Sequence, residues 1–183
     1  MTELIQFDQN LFFLINEGLQ NPFFDAILPW LRNKYFWFPL YLFLIVFLIY
    51  NFEKKGVFLI VGLLMTIGIS DVTSSQIIKK SVQRVRPCND MNIKKEVNLL
   101  VSCGGGYSFT SSHATNHFGI ATFLILTLGQ LFRWIKIPLI FWALIVSFSQ
   151  VYVGVHYPLD IFCGAILGIS IGYFVYLFYE KIN

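Results

Sequence analysis

A chain of 183 residues that is 56% apolar and 13% charged falls well short of the roughly one-quarter charged content of soluble domains. Its net charge of +3 is small, and no basic patch is interleaved with stacking aromatics outside the apolar runs, which excludes a nucleic-acid partner. Runs near 20 apolar residues recur, each long enough for a bilayer's ~30 Å hydrocarbon core, so the predicted fold class is all-α, a polytopic transmembrane helical bundle.

Residues 1–34 read as a region apart from the 35–183 core. Phe12, Phe13, Leu14 and Ile15 sit among Asp8, Asn10, Asn16 and Glu17, and Pro22, Asp25 and Pro29 follow. That is too polar and broken to span easily, and it predicts an amphipathic helical segment at the interface. The alternative is a sixth span held by its neighbours. No basic n-region leads into an apolar stretch and a small-residue cleavage site, so no removable signal peptide is expected.

Five spans are predicted, at approximately Tyr35–Phe52, Val57–Ile78, Ser111–Phe132, Ile137–Val155 and Leu159–Tyr179. Tyr35, Trp37, Trp134, Tyr176 and Tyr179 cluster at their ends, as interfacial aromatics do. The last span carries Gly164, Gly168 and Gly172, a small residue at every fourth position that allows another helix to approach closely. Asp71, Ser75 and Lys79 fall at four-residue steps along one helical face. The intramembrane acid Asp71 is assigned a supporting role, pairing with Lys79 or bonding a neighbouring helix.

The connections carry more information than the spans. Counting crossings puts Glu53–Gly56, Arg133–Lys136 and the C-terminus on one membrane face, and Lys79–Thr110 with the turn around His156 on the other. All the unusual polar residues therefore share one face. A count of cations would put that face in the cytoplasm, unless Lys79, Lys80, Arg84 and Arg86 belong to a site. Cys88 and Cys103 share the polar loop. A bridge there would close a loop worth ~3 kcal/mol and would persist on the oxidising side; two free thiols are the other reading. Cys163 lies within a span and reads as packing.

Three polar motifs stand on that face. Lys79 precedes Arg86-Pro87 by six intervening residues, with Lys80 and Arg84 nearby. Such a cluster meets either lipid headgroups or a bound anion. Gly104-Gly105-Gly106 precede Tyr107-Ser-Phe-Thr-Ser-Ser-His113 at the start of a span. Hydroxyls and backbone N–H groups at a helix N-terminus form an anion cradle; an ordinary N-cap would explain one hydroxyl. His117, one turn further in, reads as support or packing.

The third motif is Ser149-Gln-Val-Tyr-Val-Gly-Val-His-Tyr-Pro-Leu-Asp160. Pro158 suits the first position of a helix. His156 then lies in a turn, with Asp160 placed to hold one ring nitrogen and aim the other at a substrate. His113 and His156 neighbour cations rather than carboxylate ligands, so no metal site and no cofactor are expected. Two cations, two histidines and a carboxylate suit phosphoryl transfer, with Lys and Arg offsetting charge on the equatorial oxygens.

The order Lys79…Arg86-Pro87, Ser111-Ser112-His113, then Ser149…His156…Asp160 resembles the three-part motif of the type 2 phosphatidic acid phosphatase superfamily. The match covers about residues 57–180. The resemblance implies a helical membrane core with its site at one bilayer surface and a phosphohistidine intermediate. It assigns His156 as nucleophile, Asp160 as its orienter, and His113 as acid for the leaving group and then base for water. Lys79 and Arg86 would bind phosphate, assisted by Ser111 and the Ser112 backbone N–H.

The chain departs from that pattern where the family usually has Pro-Ser-Gly-His and this chain has Thr110-Ser111-Ser112-His113. It departs again at Gln150, where the family usually has a phosphate-binding Arg. A neutral amide donates hydrogen bonds without neutralising charge. Arg84, or Lys80, is expected to supply the missing cation. The resulting expectation is an integral membrane phosphatase at the outer face of a bacterial-type inner membrane. Its substrate would be a lipid phosphate or diphosphate of the undecaprenyl diphosphate, phosphatidylglycerol phosphate, phosphatidic acid or lipid A type. The competing readings are a non-catalytic protein that binds or translocates lipid phosphates, and a lipid phosphotransferase.

Overall fold

The computed structural model describes residues 2–182. Met1 and Asn183, the outermost residues of the two expected regions, lie outside the described residues. The elements are helices throughout: α1 (Thr2–Asn16), α2 (Pro22–Leu31), α3 (Phe38–Asp71), a π-helical stretch (Val72–Ile78), α4 (Lys79–Val82), α5 (Ser112–Leu128), α6 (Lys136–Tyr152) and α7 (Pro158–Ile182). No β-strand occurs among the described residues.

Three stretches are long and apolar enough to cross a membrane: Phe38–Val82, Arg133–Tyr152 and Pro158–Ile182. The first is not one rod. At Glu53 the backbone turns to φ 48° and ψ −120°, where an L-residue is strained. A Cβ on Gly56 would strike the Leu48 carbonyl, so residues 38–52 and 54–71 fold back on each other. This is the turn the polar stretch Glu53–Gly56 foretold.

The span expected over Ser111–Phe132 is shorter than its sequence suggested. Helix α5 has 17 residues, roughly 25 Å at 1.5 Å per residue, and stops where Gly129 caps it by donating to Ile125 at 3.1 Å. It lies at the centre of the bundle. Leu124, Phe123 and Ile120 pack in the main apolar core with Leu59, Leu63, Trp142 and Val175.

The tightest contact in the bundle is between α5 and α7, and the glycine stripe explains it. A Cβ on Gly168 would strike the Thr115 carbonyl, one on Gly172 the Gly119 carbonyl, and one on Gly164 would lie 2.8 Å from the Ser111 carbonyl. Any side chain there would push the two backbones apart. This is small-residue packing of the kind that brings membrane helices together, and it joins the helix bearing His113 to the helix bearing Asp160.

Helices α1 and α2, of 15 and 10 residues, are too short for a ~30 Å core, and neither is among the three spanning stretches. Asn21 caps α2, its side chain accepting from Phe24 N–H at 2.9 Å, with Pro22 at the first helical position. Each helix packs one apolar side on the core, while Phe7, Leu14, Phe23 and Trp30 stay exposed. Phe12 packs with Val151 and Tyr157, and Leu28 with Tyr152, Val153 and Val155. The N-terminal region thus covers the loop that carries His156.

Substituting Gly168 by Ala is expected to lower the thermal midpoint of the detergent-solubilised protein, costing about 1–3 kcal/mol through overpacking. Gly68→Ala, with nothing within 4 Å of its Cβ, is expected to be neutral or to gain ~0.5–1 kcal/mol. Equal shifts for the two would contradict the packing described.

Candidate active site

The two polar connections expected on one face are in contact. Leu100 N–H donates to Val153 O at 3.4 Å, and within the first connection Ser108 N–H donates to Arg84 O at 2.8 Å. Cys88 and Cys103 are joined by a disulfide, which ties the 83–111 loop to itself just beyond Arg86-Pro87. Gly154, at φ +86°, provides the left-handed turn between α6 and His156. A Cβ there would also lie 2.7 Å from Val97.

Asp160 sits at the third position of α7, after Pro158 and with Tyr157 as the cap residue. Its Oδ2 accepts the Tyr157 N–H at 2.9 Å and faces His156 Nδ1 at 3.3 Å. Its Oδ1 accepts from Arg84 Nη1 at 2.8 Å. A side chain reaching back to the cap N–H is half of a capping box, so the bond that starts the helix also fixes the carboxylate.

His156 is 2% exposed, and its Nε2 lies 3.1 Å from Arg86 Nη1. A guanidinium only donates, so Nε2 is the accepting, lone-pair nitrogen and Nδ1 carries the proton toward Asp160. Burial pushes the His156 pKa down to about 4; Arg86 and Lys79 add to the fall, and Asp160 opposes it. The ring is therefore neutral at pH 7, with a lone pair on the nitrogen that faces Arg86.

Arg86 also donates to Val155 O at 3.1 Å, and its buried Nε has no hydrogen-bond partner among the described residues. Burial, against the pull of Asp160, lowers its pKa. Lys79, half-buried at the end of the π-helical stretch, lies within electrostatic reach of Arg86 and Asp160.

His113 opens α5 and lies within electrostatic reach of His156. Its turn is held from two sides. Ser111 N–H donates to the Asp160 carbonyl at 3.0 Å, and the Ser112 hydroxyl meets Ser74 Oγ at 3.0 Å and Ser75 Oγ at 2.9 Å. The widened π-helical turn, a feature often found at functional sites, presents both serines to Ser112. The Ser111 hydroxyl caps α5, accepting from Ala114 N–H at 3.4 Å, which fits the N-cap alternative. His117 Nδ1 donates to His113 O at 2.8 Å, and its ring lies 4.6 Å from that of Trp142, matching the reading of support and packing.

Two expectations need correction. Arg84 is not open to an anion: Nη2 pairs with Asp8 at 2.6 Å, Nη1 pairs with Asp160, and the guanidinium lies 4.0 Å over the Tyr157 ring. Burial works against its charge, yet Asp160 and Asp8 outweigh that and raise its pKa. Lys80 is exposed and reaches Gln76 at 3.4 Å. Asp71 is exposed and accepts from Ser75 at 3.2 Å, and the ion pairs among the described residues do not include Asp71 with Lys79.

The N-terminal region contributes polar groups that the sequence did not single out. Asp8 accepts from Leu159 N–H at 2.8 Å as well as from Arg84. Asn16 donates to Tyr152 O at 2.7 Å and to Asn98 O at 2.8 Å. Tyr152 donates to Asp25 at 2.6 Å. Arg32 donates through Nε to Gln150 Oε1 at 3.2 Å. For Asp8, one polar residue among several in a mixed amphipathic stretch, there was no distinct signal; for Arg32 it was the charge that Gln150 lacks.

An apolar cavity of about 700 Å³ lies between α3, α5 and α6, lined by Leu31, Trp37, Tyr41, Leu124 and Trp142 among others.

The chain thus combines membrane-spanning helices with a buried His–Asp pair, a second histidine at a helix start, and Arg86 and Lys79, which the ion pairs among the described residues do not include. Residues 55–183 match the sequence profile of the PAP2 superfamily. The lipid A 4'-phosphatase of Bacteroides thetaiotaomicron is 33% identical over 183 residues, 98% of this chain and 80% of that protein. The undecaprenyl-diphosphatase of Sulfolobus acidocaldarius is 32% identical over 167 residues, 90% of this chain and 74% of that protein. The chain belongs to the PAP2 superfamily and is an integral membrane protein. The crystal structure of Aquifex aeolicus LpxE superposes with a TM-score of 0.68 at 29% identity, covering 91% of this chain and 93% of that one. A PAP2-type phosphatidylglycerolphosphate phosphatase from Bacillus subtilis shares the fold, with a TM-score of 0.78 at 23% identity over 100% of this chain and 89% of that one.

Nuclear magnetic resonance of ring-labelled histidines is expected to show His156 neutral, protonated on Nδ1, down to about pH 4. Protonation near pH 6.5, the ordinary value, would contradict the buried neutral ring.

Proposed function

We propose that this chain hydrolyses the phosphate of an amphiphilic lipid phosphate or diphosphate through a phosphohistidine on His156. The observation that carries the reading is the buried line Asp160–His156–Arg86, with distances of 3.3 Å and 3.1 Å on either side of the ring. It presents a neutral nucleophilic nitrogen beside a cation. The relatives named lipid A 4'-phosphatase and undecaprenyl-diphosphatase support a lipid phosphate as substrate.

Arg86 and Lys79 bind the phosphate oxygens, Arg86 exchanging its bond to Nε2 for one to the incoming anion. The Ser112 backbone N–H assists at the start of α5, and the Ser111 hydroxyl holds that turn in shape. The Nε2 lone pair then attacks phosphorus. The bond from phosphorus to the leaving oxygen breaks, and His113 gives that oxygen its proton. His113 next takes a proton from water, the hydroxide attacks phosphorus, and the P–N bond breaks. Inorganic phosphate leaves, and the electron pair returns to Nε2. Asp160 offsets the charge that the ring gains during attack.

The core crosses the bilayer five times, counting both arms of α3 and the short buried α5, with α1 and α2 lying along the surface on the site's side. The apolar cavity takes the lipid tail while the phosphate reaches Arg86. The Cys88–Cys103 bridge supports placing the site on the oxidising, periplasmic face of an inner membrane.

Purified protein is expected to release phosphate from a short-chain lipid phosphate equally well with and without a chelator. His156→Ala is expected to abolish release, and His113→Ala to lower it ~10²–10⁴-fold. Undiminished turnover by folded His156→Ala, or complete loss in the chelator, would rule the mechanism out. Transfer of phosphate to an added lipid alcohol in place of water would instead support the phosphotransferase reading.

A further inference from the structure

Gln150 is fully buried at the end of α6. Its main-chain carbonyl accepts the N–H groups of Val155 and His156, each at 3.2 Å, so the residue is built into the turn that holds the nucleophile. Its side-chain Oε1 is taken by Arg32 Nε at 3.2 Å. Arg32 follows the last turn of α2 and is half-buried. The ion pairs among the described residues join Arg84 to Asp8 and Asp160 and His156 to Asp160, and none of them includes Arg32.

Arg86, likewise outside those pairs, lies within electrostatic reach of Arg32, as does His113. Burial first, and then the charge of Arg86, lower the Arg32 pKa. Two half-buried or buried guanidinium groups, neither in the ion pairs of the described residues, thus lie within electrostatic reach of each other, against desolvation and mutual repulsion. An arrangement of that kind is relieved when an anion enters and accepts from both. Leu31, the preceding residue, lines the apolar cavity, so Arg32 follows directly on a residue of that cavity while lying within electrostatic reach of His113.

We propose that Arg32 is a phosphate-binding residue whose terminal N–H groups contact the substrate phosphate while Nε stays on Gln150. The N-terminal region, outside the stretch matched to the family, then supplies the positive charge that the neutral amide of Gln150 does not. The inference rests on the phosphatase reading for the nature of the substrate.

The test measures the affinity of the full-length protein for inorganic phosphate by titration calorimetry, which needs no turnover, together with KM for a short-chain lipid phosphate. Arg32→Ala is expected to weaken phosphate binding and raise KM by about 10- to 100-fold, the size of one lost charge-assisted hydrogen bond. Adding Gln150→Arg to that variant is expected to recover most of the loss by returning a guanidinium to the same corner. Phosphate affinity and KM within twofold of wild type for folded Arg32→Ala would overturn the proposal. Should the truncation not fold, Arg32→Gln, which keeps a stem and a donor toward Gln150, carries the same two outcomes. Loss of phosphate binding in Arg32→Ala, with no turnover by the wild type on any lipid phosphate, would sink the hydrolase reading and leave this one standing. Normal turnover with unchanged phosphate affinity would do the reverse.

Discussion

A carboxylate with no access to solvent has to be surrounded by donors, because an uncompensated buried charge costs several kcal/mol. Asp160 is 0% exposed, and meeting its demand brings together four parts of the chain. Its own helix start supplies the Tyr157 N–H, the preceding turn supplies His156, and the loop after α4 supplies Arg84. Arg84 in turn recruits Asp8 from α1. The proposed nucleophile is thus oriented by a network that also docks the N-terminal helix.

The glycine-lined contact between α5 and α7 is the second half of the same device. Because Gly164 and Gly168 let the backbones nearly touch, Ser111 N–H can donate to the Asp160 carbonyl. The turn bearing His113 is then registered directly against the turn bearing Asp160, with no long side chain between them. Such a link is stiff, and stiffness is what holding the proposed nucleophile and proton carrier in register requires.

Much of this was legible in the sequence for local reasons. Pro158 and Asp160 announce a helix start, and His156 just before it can only fall in the turn. The four-residue glycine spacing predicted a close helix contact. The turn expected at Glu53–Gly56 is there, as the strained reversal at Glu53, whereas the one expected at Arg133–Lys136 falls earlier, at 129–132, and Arg133–Ile135 is a 3-10 turn leading straight into α6. What the sequence hid was long-range. Arg84 looked free because its partner Asp8 lies 76 positions away, and Arg32 looked incidental because Gln150 lies 118 positions away. No periodicity reports such pairings. The shortness of α5 was concealed for another reason: apolar residues continue past Gly129 into a turn, so hydropathy alone extends the helix too far.

The central claim is that the charge and acceptor geometry of Asp160 hold His156 with its lone pair toward the substrate. Asp160→Asn keeps the shape, but its amide can donate where the carboxylate accepts, which turns the ring to the wrong tautomer. Phosphate release from a short-chain lipid phosphate by the folded variant should fall about 10³–10⁴-fold, comparable to the loss seen when a triad carboxylate is made neutral. Turnover within tenfold of the unaltered protein would contradict the account.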